Sequence, residues 1–174
     1  IQGVSKGVLY TSTLALPWFG LISVDYSDNN EIHSNEIDGF KAADAYLSSP
    51  LHGNISAFTF PKEFEAYLNN NELYFGMCYR TEVVDTISDE KFYELHLIYN
   101  LSILSDNTSY HTIEQSASSV NFSWSFNTIP IEIPNYLSSS HIVIRSKYTK
   151  VGLLTEIEKI LYGTDEPPRL PTPE

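Results

Sequence analysis

Short stretches of alternating apolar and polar residues recur along the chain and predict β-strands. Residues 53–60 alternate well enough for a strand with one buried face, and residues 18–24 are rich in aromatic and branched side chains. Further strands are predicted at residues 73–81, 92–104, 110–113, 119–128, 129–133 and 141–146. Because Asn, Asp, Ser and Pro separate these strands at short intervals, the pattern is typical of a β-sandwich or open barrel.

The helical signal is confined to a few places. Residues 151–162 place their leucines and isoleucines on one stripe, which predicts an amphipathic helix, and Gly163 supplies its C-terminal stop. Short helical pieces are also predicted at residues 42–49 and 62–68. The expected fold is therefore mainly β, with one flanking α-helix near the C-terminus and extended terminal arms.

The length of 174 residues suits one compact domain. We expect a single β-sandwich domain at residues 1–164 and an extended, proline-rich C-terminal arm at residues 165–174. Four prolines within residues 166–173 exclude a helix there and favour a polyproline-like conformation. Such an arm is expected to pack on another surface, preferably that of a neighbouring subunit.

Composition and net charge indicate a folded chain and limit its possible partners. Hydrophobic residues make up 42% of the chain and charged residues 18%, which is too apolar for a disordered protein. The formal net charge of −12 argues against tight nucleic-acid binding, because Lys and Arg supply the affinity for phosphates. A surface past which DNA must slide without adhering would need this sign. No apolar stretch approaches the roughly 20 residues of a membrane-spanning helix, so no membrane partner is expected.

The sequence offers no pattern typical of catalysis or cofactor binding. Cys78 lies in an apolar run and is expected to be a buried, inert thiol. His96 lies between two leucines and is expected to be a hydrogen-bonded structural residue. No zinc-ligand spacing connects the histidines, and no nucleophile turn is present. We therefore expect no enzyme activity, no metal and no cofactor. The histidines are His33, His52, His96, His111 and His141.

Six segments follow one another in unbroken order from residue 18 to the C-terminus and form a more specific pattern. Three of them are Trp18-Phe19-Gly20-Leu21, residues 57–64 and Phe75-Gly76-Met77-Cys78-Tyr79-Arg80-Thr81; the others are residues 93–100, 122–131 and 153–174. This series resembles the motifs of the major tail proteins, or tail-tube proteins, of long-tailed, non-contractile bacteriophages (siphophages).

The resemblance implies a structural virion protein of the phage tail, assembled in the host cytoplasm. Subunits of that family form sixfold rings that stack into a hollow tube, with four strands per subunit lining a continuous inner β-barrel. Double-stranded DNA passes through the tube without specific binding during ejection into the host. The implied partners are further copies of the chain, the tape-measure protein, and the tail-initiation and terminator proteins.

Candidate site residues follow from the resemblance and from charge. Residues 82–90 are expected at the tip of a long hairpin, where acids line the lumen or form a loop between rings; a merely solvated loop is the alternative. These acids are Glu82, Asp85, Asp89 and Glu90. Arg80 is a candidate for an ion pair across a subunit boundary. The candidate inter-subunit arm comprises Pro167, Pro168, Arg169, Leu170 and Pro171.

A second hypothesis comes from a different functional class. A carbohydrate-binding or adhesin-like β-sandwich of a phage baseplate or surface module would also suit the strand pattern. Its sugar platform would be formed by Trp18, Trp124 and Tyr162. Because each of these residues lies inside a strand or helix pattern, core packing is the preferred interpretation.

Overall fold

The computed structural model describes residues 3–27, 32–37, 40–47, 50–104, 109–111, 121–135 and 138–173, with the backbone alone in the strands at 32–37, 40–47 and 109–111. Within these residues it contains eleven strands and two α-helices, which confirms the predicted mainly β fold with one helix near the C-terminus. The strands are β1 (Val4–Tyr10), β2 (Ala15–Trp18), β3 (Leu21–Tyr26), β4 (Ile32–Ile37), β5 (Phe40–Leu47), β6 (His52–Ala57), β7 (Phe75–Val84), β8 (Lys91–Ile103), β9 (Ser109–His111), β10 (Asn121–Thr128) and β11 (Ser139–Arg145). The helices are α1 (Glu65–Leu68), which follows a 3₁₀ turn at Lys62–Phe64, and α2 (Val151–Tyr162).

All strand pairs are antiparallel, and the long β7–β8 hairpin is the centre of the sheet. On one side the order continues through β1 to β2. On the other side β8 has two neighbours in succession: residues 94–98 pair with β11, and residues 101–103 pair with β10. The sheet therefore branches, with β10, β6 and β3 in one branch and β11, β5 and β4 in the other.

The branch point coincides with a bulge in β8. Phe75 pairs with Leu101, but Met77 already pairs with Ile98, so β8 contains an extra residue at this position. Asn100 lies in the bulge with φ of +49°. Asn tolerates this left-handed conformation better than most residues, and a bulge bends the strand that contains it. The bend gives the two halves of β8 different neighbours.

The sheet curls around an inner aromatic core. β3 comes to lie against β1, so the faces of β7, β8 and β10 enclose a common interior. Trp18 and Trp124 are both almost fully buried, with ring centroids 6.2 Å apart, and Phe64 from the short helical turn packs between them. Aromatic side chains of this size each bury a large apolar area. The preferred interpretation of both tryptophans as core residues is confirmed.

Helix α2 covers the outer face of the sheet. Its buried residues Leu154 and Leu161 pack with Val8, Leu97 and Tyr99 in a second apolar cluster. The helix ends at Gly163, which has φ of +76° and donates its N–H to the Lys159 carbonyl at 2.8 Å. The predicted bounds and stop of this helix are confirmed. Among the described helices, none combines the length and apolar character that crossing a membrane requires.

Three local predictions are wrong. The helix expected at residues 42–49 is replaced by strand β5, which pairs with β4 on one side and β11 on the other. The single strand expected at residues 18–24 is divided between β2 and β3 by a turn at Gly20, which has φ of +79°. In the strand expected at residues 129–133, only Ile131 makes an isolated bridge, to Ser139.

Candidate assembly surface

The acidic hairpin tip is shorter and more ordered than the sequence indicates. Strand β7 extends to Val84, so Glu82 lies within the strand and the turn comprises residues 85–90. Asp85 organises this turn: its carboxylate accepts the N–H of Ile87 at 2.9 Å and that of Ser88 at 3.3 Å. Two backbone bonds close the turn, from Asp85 N–H to the Glu90 carbonyl and from Asp89 N–H to the Asp85 carbonyl.

A lysine that is distant in sequence fixes the tip to the body of the domain. Lys147 Nζ lies 2.8 Å from Asp85 Oδ2 and 3.1 Å from Glu90 Oε2. The hydrogen bond from Lys147 holds the pKa of Asp85 below its usual range, and the same contact raises the pKa of Lys147. Lys147 follows β11 and precedes α2, so the tip is attached beside the N-terminal end of the helix.

Arg80 and Glu82 form a separate polar pair on β7. Arg80 donates to the Glu82 carboxylate from Nε at 3.1 Å and from Nη2 at 2.5 Å, and its guanidinium lies 4.4 Å from the centroid of the Tyr93 ring. Arg80 thus has partners within its own chain. Its predicted pairing across a subunit boundary stays a prediction.

The most exposed large apolar residue at the tip is Ile87, which the candidate list of acids missed. Its relative exposure is 96%, and that of neighbouring Val84 is 48%. Single exposed apolar residues are common on protein surfaces, so the exposure of Ile87 is compatible with a solvated loop and with a contact surface. The sequence contains the signal, a lone isoleucine in a polar run, but the Lys147 contact has no local signal.

Two buried histidines from neighbouring strands face each other inside the sheet. His96 Nδ1 lies 3.1 Å from His141 Nε2, and His96 Nε2 lies 2.9 Å from Thr81 Oγ1. The Tyr79 ring stacks on His96 at a centroid distance of 4.6 Å. Burial lowers the pKa of His96 to about 4 and that of His141 well below its ordinary value. The predicted structural role of His96 is confirmed, and its pairing with His141 was not foreseen.

Cys78 lies in the outer cluster and bonds to a tyrosine. Tyr10 Oη donates its proton to the Leu161 carbonyl at 2.6 Å, so at 3.2 Å the Cys78 thiol acts as donor to the same oxygen. Burial raises the pKa of Cys78 to about 11. Since the thiolate is the reactive form, the thiol is inert at neutral pH, as predicted.

The C-terminal arm packs on its own chain. Leu170 joins the outer cluster and lies so close to Gly76 that a Cβ there would be 2.5 Å from Leu170 Cδ2. Tyr99 Oη donates to the Pro171 carbonyl at 2.7 Å, and Arg169 N–H donates to the Ile160 carbonyl at 2.9 Å. The residues are extended, as predicted, but they complete the core of the domain. A role between subunits stays a prediction.

Other candidate chemistry is sparse in the part of the chain that the structure describes. There, no group of three or more His, Cys, Asp or Glu side chains is arranged to hold a metal ion. His33 and His111 belong to strands whose side chains lie outside the described residues. Residues 105–108 and 112–120 also lie outside them, so part of the predicted strands at 110–113 and 119–128 has no structural account.

Comparison with known proteins assigns no family to the chain: no protein-family model matches it, and a search of curated proteins finds no match.

Proposed function

We propose that the chain is a phage tail-tube subunit, a structural protein that assembles into rings and then into a hollow tube for DNA ejection. Its partners in this proposal are copies of itself, the tape-measure protein and the proteins that initiate and terminate the tube. It would be located in the virion tail after assembly in the host cytoplasm. DNA would pass through the tube without being specifically bound.

The observation that carries the proposal is the branched sheet, in which several strands end a branch among the described residues. β2, β3, β4 and β9 each pair with a single described strand and so end their branches. A free strand edge presents unpaired backbone N–H and C=O groups and is a template for pairing with another chain. Joining such edges around a ring would close the sheet into a barrel, which removes the edges altogether.

Charge supports the same proposal. Six copies of a chain with net charge −12 carry roughly −72 per ring. A channel lined by an excess of one sign repels a polyanion of the same sign. DNA adhesion to the lumen would thus be weak, as a conduit requires.

Two of the three residues in the aromatic platform of the carbohydrate-binding alternative are buried, whereas Tyr162 is half-buried. Trp18 and Trp124 are 2% and 1% exposed, so neither presents a ring face on which a sugar could stack.

Solution mass across concentration tests the proposal. Sedimentation velocity of the purified chain is expected to show monomers at low concentration and a cooperative transition to large, discrete assemblies as concentration rises. A compact species of constant mass at every concentration, even with tail-initiation proteins added, would contradict the proposal. A melting temperature that rises with a particular glycan would instead favour the alternative.

A further inference from the structure

The hairpin tip presents an exposed apolar side chain on an ordered turn. We call residues 84–90 the knob. Ile87 is almost fully exposed at its apex, while two bonds to the Asp85 carboxylate, two backbone bonds and Lys147 hold the turn in one conformation. An ordered turn loses little backbone entropy when a partner binds it. The knob is therefore preorganised for insertion into an apolar site.

An apolar groove lies on another part of the same chain. It has a volume of about 490 Å³, larger than one isoleucine side chain, and is formed where β1 and β2 meet the end of α2 and the C-terminal arm. Its lining includes Val8, Pro17, Leu161, Tyr162 and Pro168. Lys6 is the one charged residue among the described residues that line it, and its Nζ lies 5.3 Å from the centroid of the Tyr162 ring.

The knob and the groove lie at opposite ends of α2. Lys147, which holds the knob, precedes the helix, whereas Leu161 and Tyr162 at the end of the helix line the groove. Twelve helical residues span roughly 18 Å at 1.5 Å per residue. The two features of one molecule are thus too far apart to contact each other, but each remains accessible to a neighbouring molecule.

We propose that Ile87 in the knob of one copy inserts into the groove of a second copy, where Asp89 faces Lys6. This inference rests on the proposed function and names one of its subunit contacts. A contact between two different surfaces of identical chains is heterologous, and repetition of it generates a ring or a filament.

Charge complementarity favours a second copy as the occupant. The knob has the exposed acid Asp89, and the groove has Lys6 at its apolar surface. A chain with net charge −12 repels its own copies, so a self-contact needs opposite charges that meet locally. The same chain presents both halves of such a contact.

The first test replaces the anchor. Ile87→Ser is expected to raise the concentration at which assembly begins by about tenfold or more, because the groove loses its apolar occupant. The matched control is Ile129→Ser, the same substitution at an isoleucine that is 48% exposed and precedes the Ile131 bridge, outside the knob. The control is expected to assemble like the wild type. Melting temperatures of both variants verify that each chain remains folded.

The second test exchanges charges. Asp89→Lys and Lys6→Glu are each expected to raise the onset concentration, and the double variant is expected to recover most of the loss, since it restores an opposite pair. A double variant that assembles no better than the single variants overturns the pairing of Asp89 with Lys6.

The outcomes separate the contact from the function. If the wild type assembles and Ile87→Ser assembles at an unchanged concentration, the knob-and-groove contact is overturned and the proposed function stands. If the wild type remains monomeric throughout, both are overturned.

Discussion

His96 and His141 are neutral in the folded chain because burial opposes their charged forms. The pKa of His96 is about 4, compared with 6.5 for an unperturbed histidine. The unfolded chain therefore binds more protons between pH 6.5 and 4, and the stability that neutral histidine contributes at pH 7 is lost as pH falls through this range. The shift at His96 alone corresponds to a loss of about 3 kcal/mol, at 1.36 kcal/mol per pKa unit.

We predict that the free energy of unfolding, measured by urea denaturation, falls steeply between pH 6.5 and 4. His96→Gln cannot be protonated and is expected to show a shallower decline over the same range, although it is less stable than the wild type at pH 7. Because the slopes with pH are compared, the pH-independent loss of stability that the substitution causes does not affect the result. Equal slopes for the variant and the wild type would contradict this account of the pair.

Asp85 orders the hairpin tip, because its side-chain oxygen accepts the N–H groups of Ile87 and Ser88. We predict that Asp85→Ala speeds amide hydrogen exchange at Ile87 and Ser88, which lose their acceptor. Glu82→Gln is the control, because Glu82 pairs with Arg80 and takes no part in the hydrogen bonds described for the turn. Unchanged exchange in Asp85→Ala would show that the turn is ordered without its side chain.

The pH dependence of the tip occupies a different range from that of the histidines. The pKa of Asp85 is lowered by the hydrogen bond from Lys147 and by those from two backbone N–H groups. The contribution of the carboxylate to the stability of the tip is therefore complete above its ordinary pKa of 3.8. The contribution disappears only as pH falls below that value. The tip is therefore expected to stay ordered while the histidine pair is being protonated.

Residue contacts of this kind could not be predicted from the sequence. His141 is 45 residues from His96, and Lys147 is 62 residues from Asp85. Neither pair has a local pattern, because the contacts depend on which strands become neighbours. The burial of His96 and Cys78 was predictable, since both lie in apolar runs that mark the centre of a strand.

Among the elements, helix α2 was predictable and strand β5 was not. The stripe of apolar residues on α2 repeats within the helix itself, and Gly163 marks its end. The sequence of β5, Phe-Lys-Ala-Ala-Asp-Ala-Tyr-Leu, favours a helix by local propensity. Its strand conformation comes from pairing on both sides, and tertiary pairing of this kind overrides a weak local preference.

The C-terminal arm is an element without regular secondary structure that nevertheless stabilises the domain. We predict that Leu170→Ala lowers the free energy of unfolding by about 1–3 kcal/mol, because the side chain packs in the outer cluster against Gly76. Thr172→Ala, an exposed change in the same arm, is the control and is expected to have little effect. Thermal unfolding of the two variants measures the difference. Equal melting temperatures would mean that the arm contributes no stability to its own chain.

For the whole molecule, the net charge of −12 opposes association of the copies. Salt screens this repulsion, with a Debye length of about 10 Å at 0.1 M and 3 Å at 1 M ionic strength. We predict that the onset concentration for assembly falls as salt rises, because the general repulsion involves more charges than the single Asp89–Lys6 contact. Light scattering across a salt series provides the measurement. An onset that rises with salt would show instead that attractive ion pairs dominate the contact.

Negative-stain electron microscopy of the concentrated protein shows directly whether copies of this chain form the proposed hollow tube. Sixfold rings or tubes with a continuous central channel are the predicted result. Compact particles of uniform size without a channel, under conditions in which the chain is folded and concentrated, would contradict the claim.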